Sequence, residues 1–263
     1  MNRVVWITGG SSGIGAALVK KYSDSGYYVI ATARSKVQLE KIASSSNYPE
    51  NIKIFPADLE KVNELSKIIQ SVWNIFDGID LVILNAGVGQ WGKVKDTEMS
   101  IERKIFELNF WSPVQSIKLL IPKMENKGSG TIICVGSIAS QFGQAKLAAY
   151  SASKSALTLY LESLKEELRY SKVKVKLASP GNIKTSIMKS ALTHNGKKLN
   201  KVGRAQEKGM TTQKLAKKIF KFEKQEKKFH KFFTGIEGLA VLLHKFSPKL
   251  FYWIYRNLLR RKK

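Results

Sequence analysis

The stretch VVWITGGSSGIGAALV, Val4 to Val19, joins a short apolar run to a helical pattern through a segment rich in glycine. The apolar run ends at Thr8, and glycines follow at positions 9, 13 and 15. Between a strand and a helix, glycines permit a tight turn and close approach of the backbone to a ligand, and the helix N-terminus favours an anionic group. The segment therefore predicts a pyrophosphate-binding loop, with a ligand-free glycine turn as the alternative.

Apolar runs and polar helical stretches alternate along the chain as far as Gly181. The runs are short and apolar throughout, which is typical of strands that crossover helices bury on both faces. Six such units, with no low-complexity linker between them, predict a single-domain α/β fold: a Rossmann-like, doubly wound parallel sheet flanked by helices. Ligands of such sheets lie at the carboxyl ends of the strands, where the winding reverses.

Two long segments are interpreted as helices. Residues 100–126, SIERKIFELNFWSPVQSIKLLIPKMEN, have helical spacing and predict one long helix bent near Pro113. Residues 214–233, KLAKKIFKFEKQEKKFHKFF, interleave Lys with Phe and predict an amphipathic helix with a solvated basic face.

Charge and cysteine usage limit the classes of protein. The net charge of +25 is uneven, since residues 184–263 hold 22 Lys and Arg against 4 Asp and Glu. The single cysteine, Cys134, excludes an internal disulfide and indicates a reducing compartment. The histidines stand far apart, so we expect no metal site. With no secretory signal and no run of about 18 uncharged apolar residues, a cytoplasmic protein is expected.

The second apolar run ends in ATARS, residues 31–35, and bears on the choice of cofactor. A dinucleotide with a free ribose 2′-OH usually meets Asp or Glu near this position, whereas this chain has Arg34. Arg34, with Ser12 of the glycine segment as a second donor, suits a 2′-phosphate. The sequence therefore favours NADP(H) over NAD(H), unless Arg34 is only a solvated loop residue.

The next two runs also end in candidate cofactor residues. After the third run, Asp58 either accepts a hydrogen bond from an adenine, with Leu59 packing beside the ring, or caps the following helix. The fourth run ends in NAG, residues 85–87, which are small enough for a cofactor to pass close to the backbone.

Tyr150 and Lys154 stand four residues apart in AAYSASKSAL, residues 148–157. Side chains at this spacing share one helix face, and an ammonium beside a phenol is expected to lower the tyrosine pKa. Tyr150 would then act as a general acid/base in carbonyl reduction. Ser137, at the end of the fifth run, is expected to polarise the carbonyl, and Asn109 is a polar residue inside an apolar helix that requires hydrogen-bond partners. Taken singly, each of these residues also has an ordinary structural interpretation.

In this order the motifs resemble the short-chain dehydrogenase/reductase family. The T-G-x-x-x-G-I-G of that family is present as residues 8–15, and its Y-x-x-x-K as Tyr150 and Lys154. Ser137 stands thirteen residues before Tyr150, a usual spacing in the family. The resemblance covers about the first 190 residues and, more weakly, GMTTQKLAKKIF at residues 209–220. One departure is Leu84, where the family often has the first Asn of N-N-A-G.

The resemblance implies a role for each residue. Tyr150 would donate or accept the proton, Lys154 would lower its pKa and bind the nicotinamide ribose, and Ser137 would hold the substrate oxygen. Asn109 would hold a water that links Lys154 to solvent. The expected cofactor-binding residues are Gly9, Ser11, Ser12, Gly13, Ile14, Gly15, Arg34, Asp58, Leu59, Asn85, Ala86, Gly87, Tyr150, Lys154, Pro180, Gly181, Ile183 and Thr185.

The segments after the strand ends supply a mainly apolar lining for the substrate, without a charged anchor. A hydrophobic ketone or secondary alcohol suits such a lining, so we expect an NADP(H)-dependent oxidoreductase acting on one. Two alternatives stay open: a 3-oxoacyl-thioester reductase of similar mechanism, and a non-catalytic NADP-binding regulatory protein. The expected lining residues are Val88, Gln90, Trp91, Ile138, Gln141, Phe142, Ile187 and Met188.

We assign residues 1–233 to a catalytic NAD(P)-binding domain, with the substrate loop and helices at residues 183–222. Residues 234–263 form a basic, aromatic-rich helical extension that either closes the pocket or an interface, or lies on an anionic membrane surface. Family members suggest a homodimer or homotetramer. Nucleic acid is not expected as a partner, because that role leaves the catalytic pattern unexplained.

Overall fold

The computed structural model of the protein describes residues 2–201 and 203–260, without the side chains of residues 204, 205 and 258–260. Seven strands in these residues form one sheet in which all neighbouring pairs are parallel. The order β3-β2-β1-β4-β5-β6-β7 confirms the predicted doubly wound parallel sheet. The strands are β1 (Val4–Thr8), β2 (Tyr28–Ala33), β3 (Ile52–Pro56), β4 (Leu81–Leu84), β5 (Gly130–Val135), β6 (Val173–Pro180) and β7 (His230–Phe233).

Helices cover both faces of the sheet. Those in the described residues are α1 (Gly13–Ser23), α2 (Lys36–Ser44), α3 (Leu65–Asn74), α4 (Met99–Phe106), α5 (Ser112–Lys127), α6 (Ala148–Glu167), α7 (Arg204–Glu207), α8 (Thr212–Glu223), α9 (Gly238–Phe246) and α10 (Pro248–Arg260). The core on one face includes side chains of α1 and α8, and the core on the other includes side chains of α3, α5 and α6. The result is a three-layer, single-domain α/β fold.

Alternate residues of the central strand β1 serve the two cores. Ile7 packs in the core that holds Leu18 of α1 and Leu215 of α8. Trp6 packs in the opposite core with Leu157 of α6, and all of these side chains are almost fully buried. Since successive strand residues face opposite sides, a strand covered on both faces must be apolar throughout, as the sequence is here.

The winding of the chain reverses between β1 and β4, which lie side by side. Hydrogen bonds join the residues at the carboxyl ends of these strands. Thr8 Oγ1 accepts from the backbone N–H groups of Asn85 at 2.9 Å and Ala86 at 3.0 Å, and Asn85 Nδ2 donates to the Thr8 carbonyl at 3.0 Å. The glycine segment after β1 is thereby held beside residues 85–87, at the point where such sheets bind ligands.

The structure corrects one of the two long-helix predictions and confirms the other. The basic amphipathic helix expected over residues 214–233 ends at Glu223, and the segment finishes as the edge strand β7, which pairs with β6. The helix expected over residues 100–126 is present as α4, a π-helical turn over Glu107–Trp111 and α5, which follow one another without a break. This turn falls just before Pro113, close to the expected bend, and it carries Asn109.

The C-terminal extension is helical, as predicted, and consists of α9 and α10 packed against each other as a hairpin. In the part of the chain that the structure describes, no helix combines the length and the apolar character needed to cross a membrane.

Candidate active site

The glycine segment turns from β1 into α1 with its backbone close to the helix start. A Cβ at Gly15 would lie 2.0 Å from the Gly9 carbonyl oxygen, so only glycine permits this packing. The first N–H groups of a helix lack partners within the helix and attract anions. The first N–H groups of α1 come directly after Ser11 and Ser12 in the chain. Both serines line an adjacent cavity. The segment therefore has the form of a phosphate-binding loop.

This cofactor-side cavity has a volume of about 500 Å³ and runs from the ends of β2 and β3 to the end of β4. Its size, its glycine-lined wall and the helix N-terminus fit the adenosine and pyrophosphate parts of a dinucleotide. Gly15 packs against the Gly9 carbonyl and does not line the cavity. The expected cofactor residues that line the cavity are Gly9, Ser11, Ser12, Gly13, Ile14, Arg34, Asp58, Leu59, Asn85, Ala86, Gly87 and Thr185.

Two cations meet one carboxylate at the end of this cavity. Arg34 Nη1 lies 3.1 Å from Glu60 Oε1, and Lys104 Nζ of α4 lies 3.3 Å from Glu60 Oε2. The Arg34 side chain is 65% exposed, which leaves most of its guanidinium free to meet a ligand. Sequence reasoning missed Lys104 and Glu60, because nothing in the local pattern of α4 shows that it reaches the segment after β3.

A second, catalytic cavity of about 170 Å³ adjoins the first. The two cavities lie on either side of a common wall, whose residues are Ile14, Asn85, Gly87, Gly89, Thr185 and Ile187, and we call them together the cleft. The catalytic cavity brings together most of the residues expected on the nicotinamide and substrate side. These are Ser137, Tyr150, Lys154, Pro180, Gly181, Ile183, Gln90, Ile138, Ile187 and Met188.

The Tyr150 phenol differs from expectation in its pKa. The sequence predicted that Lys154 would lower it, but burial raises the pKa of Tyr150 above its usual value, and a hydrogen bond with Ser137 opposes this only in part. The Lys154 ammonium instead donates to the Val135 carbonyl at 3.0 Å. At neutral pH Tyr150 is therefore a protonated acid rather than a phenolate.

Lys154 itself is almost fully buried, with 6% of its surface exposed. Burial lowers its pKa to about 8, and the nearby Cys134 thiol opposes that effect. A lysine with a pKa near neutrality changes its charge readily, which suits a group that supports proton transfer.

Ser137 follows β5, and its hydroxyl oxygen accepts from the Ala139 N–H at 3.1 Å. The same hydroxyl hydrogen-bonds with the Tyr150 phenol, so Ser137 links the end of β5 to the phenol inside the cavity.

Asn109 is fully buried in the π-helical turn and lines neither cavity. Its Oδ1 accepts from Val88 N–H at 2.9 Å, and its Nδ2 donates to Val88 carbonyl at 3.0 Å and to Ser153 Oγ at 3.2 Å. The side chain thus fixes the segment after β4 against α6. The water expected at Asn109 remains a prediction, whereas the bond to the Val88 carbonyl is the backbone partner that a buried Asn in this helix was expected to find.

Gln90 is a polar residue in the wall of the catalytic cavity and is fully buried. Its Oε1 accepts from the Tyr150 backbone N–H at 3.1 Å, which fixes the orientation of the amide. Its Nε2 has no hydrogen-bond partner among the described residues. Because a buried unpaired donor is costly, this Nε2 is a candidate to bind a polar atom of the substrate.

Four of the expected substrate residues lie outside the catalytic cavity. Val88 lines the cofactor-side cavity instead. Trp91 is 37% exposed and packs against Lys146, whose Nζ lies 4.9 Å from the ring centroid. Gln141 and Phe142 lie outside both walls, and Phe142 contacts the C-terminal hairpin, with its ring centroid 4.7 Å from that of Phe251. These four side chains therefore do not line the catalytic cavity, and which residues contact the substrate stays a prediction.

The sequence matches the model of the short chain dehydrogenase family over residues 3–196. The chain belongs to this family. Among relatives, a dehydrogenase/reductase SDR family protein 7-like from Drosophila melanogaster is 30% identical, with 96% of this chain and 79% of that protein covered.

Solved structures of short-chain dehydrogenases share the fold over nearly the whole chain. One from Streptomyces avermitilis is 25% identical with a TM-score of 0.83, and the match covers 98% of this chain and 97% of that one. One from Burkholderia phymatum, in complex with NAD, is 19% identical with a TM-score of 0.82 and 95% of each chain covered. An alcohol dehydrogenase from Thermococcus sibiricus, complexed with 5-hydroxy-NADP, is 22% identical with a TM-score of 0.75, over 90% of this chain and 97% of that one.

Proposed function

We propose that the protein is an NADP(H)-dependent oxidoreductase that interconverts a hydrophobic ketone and its secondary alcohol. The observation that carries this proposal is the common wall of the cleft, through which the phosphate-binding loop adjoins the cavity of Ser137, Tyr150 and Lys154. Membership of the short chain dehydrogenase family supports it.

The bound cofactor supplies or takes the hydride at the reacting carbon, and the side chains handle the proton. In the direction of reduction, Ser137 donates a hydrogen bond to the carbonyl oxygen and holds that oxygen beside Tyr150. Tyr150 then gives its phenolic proton to that oxygen as negative charge develops there. A charged Lys154 stabilises the phenolate that results, because an ammonium favours the ionised form of a neighbouring phenol.

The preference for NADP(H) rests on the charges around Glu60. Arg34 and Lys104 together exceed the single carboxylate by one positive charge, and both line the cofactor-side cavity. A 2′-phosphate would complete this group of charges, whereas no Asp or Glu ends β2 to receive a 2′-hydroxyl.

Exchange of Arg34 tests this preference. Arg34→Asp is expected to lower the ratio of kcat/KM for NADPH to that for NADH by about tenfold or more, since a bidentate phosphate contact is replaced by repulsion. The matched control is Lys36→Ala, because Lys36 is also exposed but pairs with Glu40 outside the cavity. An unchanged ratio in Arg34→Asp would contradict the assignment of Arg34.

The proposed substrate is a hydrophobic carbonyl compound with a second acceptor atom. Ile138, Ile187 and Met188 give the catalytic cavity its apolar wall. The Nε2 of Gln90, which has no partner among the described residues, is a further hydrogen-bond donor. Because Ser137 and Tyr150 already hold the reacting carbonyl oxygen, this donor is available to a second acceptor atom of the substrate. A panel of ketones with and without a second oxygen, assayed by NADPH oxidation, compares the two classes directly.

Exchange of the Tyr150 phenol tests the enzymatic role. Tyr150→Phe is expected to lower turnover by at least about 100-fold, because the proton donor is lost, while NADPH affinity stays close to that of the wild type. Steady-state NADPH oxidation and fluorescence titration of NADPH measure the two quantities. Wild-type turnover in this variant would remove Tyr150 from the mechanism. A wild-type protein that binds NADPH but turns over no ketone would favour the regulatory alternative.

A further inference from the structure

The C-terminal hairpin exposes a set of large apolar side chains on its outer side. On α9, Leu239, Leu242 and Phe246 follow a spacing of three and four residues, which places them on one helix face. Exposure is high throughout, from 46% at Leu250 to 84% at Ile236. Apolar surface of this extent on one element indicates an interaction site. We call it the hairpin outer face, and its residues are Ile236, Leu239, Leu242, Phe246, Leu250 and Trp253.

The inner side of the hairpin is fixed to the body of the protein without help from these residues. Phe251 of α10 is 5% exposed and packs on Phe142, and His244 of α9 lies 5.7 Å from the same ring. Tyr255 stacks on Phe251 at 5.8 Å between centroids. Because an aromatic cluster already holds the hairpin, the outer face is free to meet a partner.

The charge around the outer face identifies the kind of partner. Lys245, Lys249 and Arg256 are exposed on the same two helices. Residues 238–263 contain seven Lys and Arg and no Asp or Glu. A second copy of this face would bring like charges together, which opposes self-association. An apolar layer bordered by anionic groups is complementary, and a phospholipid bilayer offers both.

We propose that the hairpin outer face lies on the surface of an anionic phospholipid bilayer. The Leu, Ile, Phe and Trp side chains enter the boundary between headgroups and acyl chains, and the Lys and Arg side chains meet the headgroup phosphates. The 13 residues of α10 extend about 20 Å, less than the roughly 30 Å hydrocarbon core, so the helix lies along the surface rather than across it. This inference is independent of the proposed reaction.

The position of the outer face relates the membrane to the active site. Phe142, which receives the hairpin, belongs to the loop after β5, and the same loop carries Gln144 and Leu147 into the wall of the catalytic cavity. A bilayer on the hairpin therefore lies on the substrate side of the cleft.

Co-sedimentation of the full chain with vesicles tests the proposal. At low salt the wild type is expected to pellet with vesicles of phosphatidylcholine and phosphatidylserine, and much less with phosphatidylcholine alone. Leu242→Glu and Trp253→Glu each replace an apolar contact by a negative charge and are expected to lower the partition coefficient by at least about tenfold. Val37→Glu is the matched control, since Val37 is 69% exposed but lies on α2, and it should bind as the wild type does. Circular dichroism verifies that all three variants are folded.

Trp253 provides a second measurement at the surface itself. Contact with lipid is expected to shift tryptophan emission to shorter wavelength, and Trp253→Phe should lose most of that shift. The proposal is overturned if the wild type stays in the supernatant with phosphatidylserine vesicles at low salt, or if both glutamate variants bind undiminished. A full shift in Trp253→Phe would place another segment on the lipid. Glutamate variants that dissociate an oligomer yet still bind vesicles would assign the face to a second copy.

Discussion

Lys154 holds an ammonium in a site that favours its neutral form. Burial lowers its pKa to about 8 from a usual 10.5, so below pH 8 the folded protein retains a charge that water would stabilise better. Only the Val135 carbonyl partners it among protein groups of the described residues. The residue is therefore placed for chemistry at a cost to the stability of the fold.

This cost gives a pH-dependent prediction for Lys154→Met in the cofactor-free protein. As pH rises from 8 to 10.5, the wild-type lysine releases its proton more readily when folded, and the free-energy cost of burying it disappears. The unfolding free energy of the variant minus that of the wild type is therefore largest below pH 8. It should fall by about 3 kcal/mol above pH 10.5. Denaturant unfolding at a series of pH values measures it, and a difference independent of pH would refute the lowered pKa. Turnover should be lost at every pH.

Single residues of the site were predictable to the extent that their motif is local. The glycines of residues 9–15 and the pair Tyr150 and Lys154 lie within one loop or one helix, so spacing alone places them. The contacts of Lys104 with Glu60 and of Gln90 with Tyr150 join residues 44 and 60 positions apart. Such pairs depend on how elements pack, and no local pattern encodes them.

At the scale of elements, the same distinction separates β1–β6 from β7. Each of the first six strands lies in a run in which apolar residues dominate, even though β3 carries Lys53 and β6 carries Lys174 and Lys176. His230–Phe233 has two polar residues in four and becomes a strand because β6 offers an edge, with His230 opposite Leu177 and Phe233 opposite Pro180. The helix predicted there ends early because its C-terminus receives a cap from another element.

That cap is Lys176 of β6, which is 3% exposed. Its ammonium donates to the carbonyl oxygens of Phe222 at 2.7 Å, Glu223 at 3.1 Å and Gln225 at 2.8 Å. The last carbonyls of a helix lack partners within it, so Lys176 fixes where α8 stops and where β7 can begin.

Lys176→Met should therefore destabilise the fold by about 2–3 kcal/mol, because two buried carbonyl groups and a third that is partly buried lose their donor. Chemical denaturation measures the change. Lys174→Met is the matched control on the same strand, since Lys174 is exposed and pairs only with Glu226 at 3.4 Å, and it should change stability by less than about 0.5 kcal/mol. Equal effects of the two substitutions would remove the capping role of Lys176.

At the scale of the whole molecule, the C-terminal hairpin and the catalytic cleft meet at one carboxylate. Glu237, at the start of α9, accepts from the Asn182 N–H at 2.9 Å, and Asn182 lines the catalytic cavity. A Cβ at Gly181 would lie 2.2 Å from Glu237 Oε1, so the carboxylate fits there only because residue 181 is glycine. The end of β6 and the hairpin are thus held as one unit.

Breaking this link should loosen the hairpin and the substrate side of the cleft together. Burial opposes ionisation of Glu237, but hydrogen bonds from the backbone N–H groups of residues 237, 182 and 235 outweigh it and lower its pKa. The stabilising contribution of the ionised Glu237 is therefore present at pH values above its usual pKa of 4.5, and it is lost as the pH falls through the lower pKa of the folded protein.

Glu237→Ala removes this stabilising contribution at neutral pH. The variant should raise KM for the ketone several-fold with little change in kcat, and should speed hydrogen exchange in α9 and α10. Glu237→Gln, which keeps one acceptor oxygen, should restore part of both properties. Faster exchange in Glu237→Ala without any change in KM would show that the hairpin moves independently of the active site.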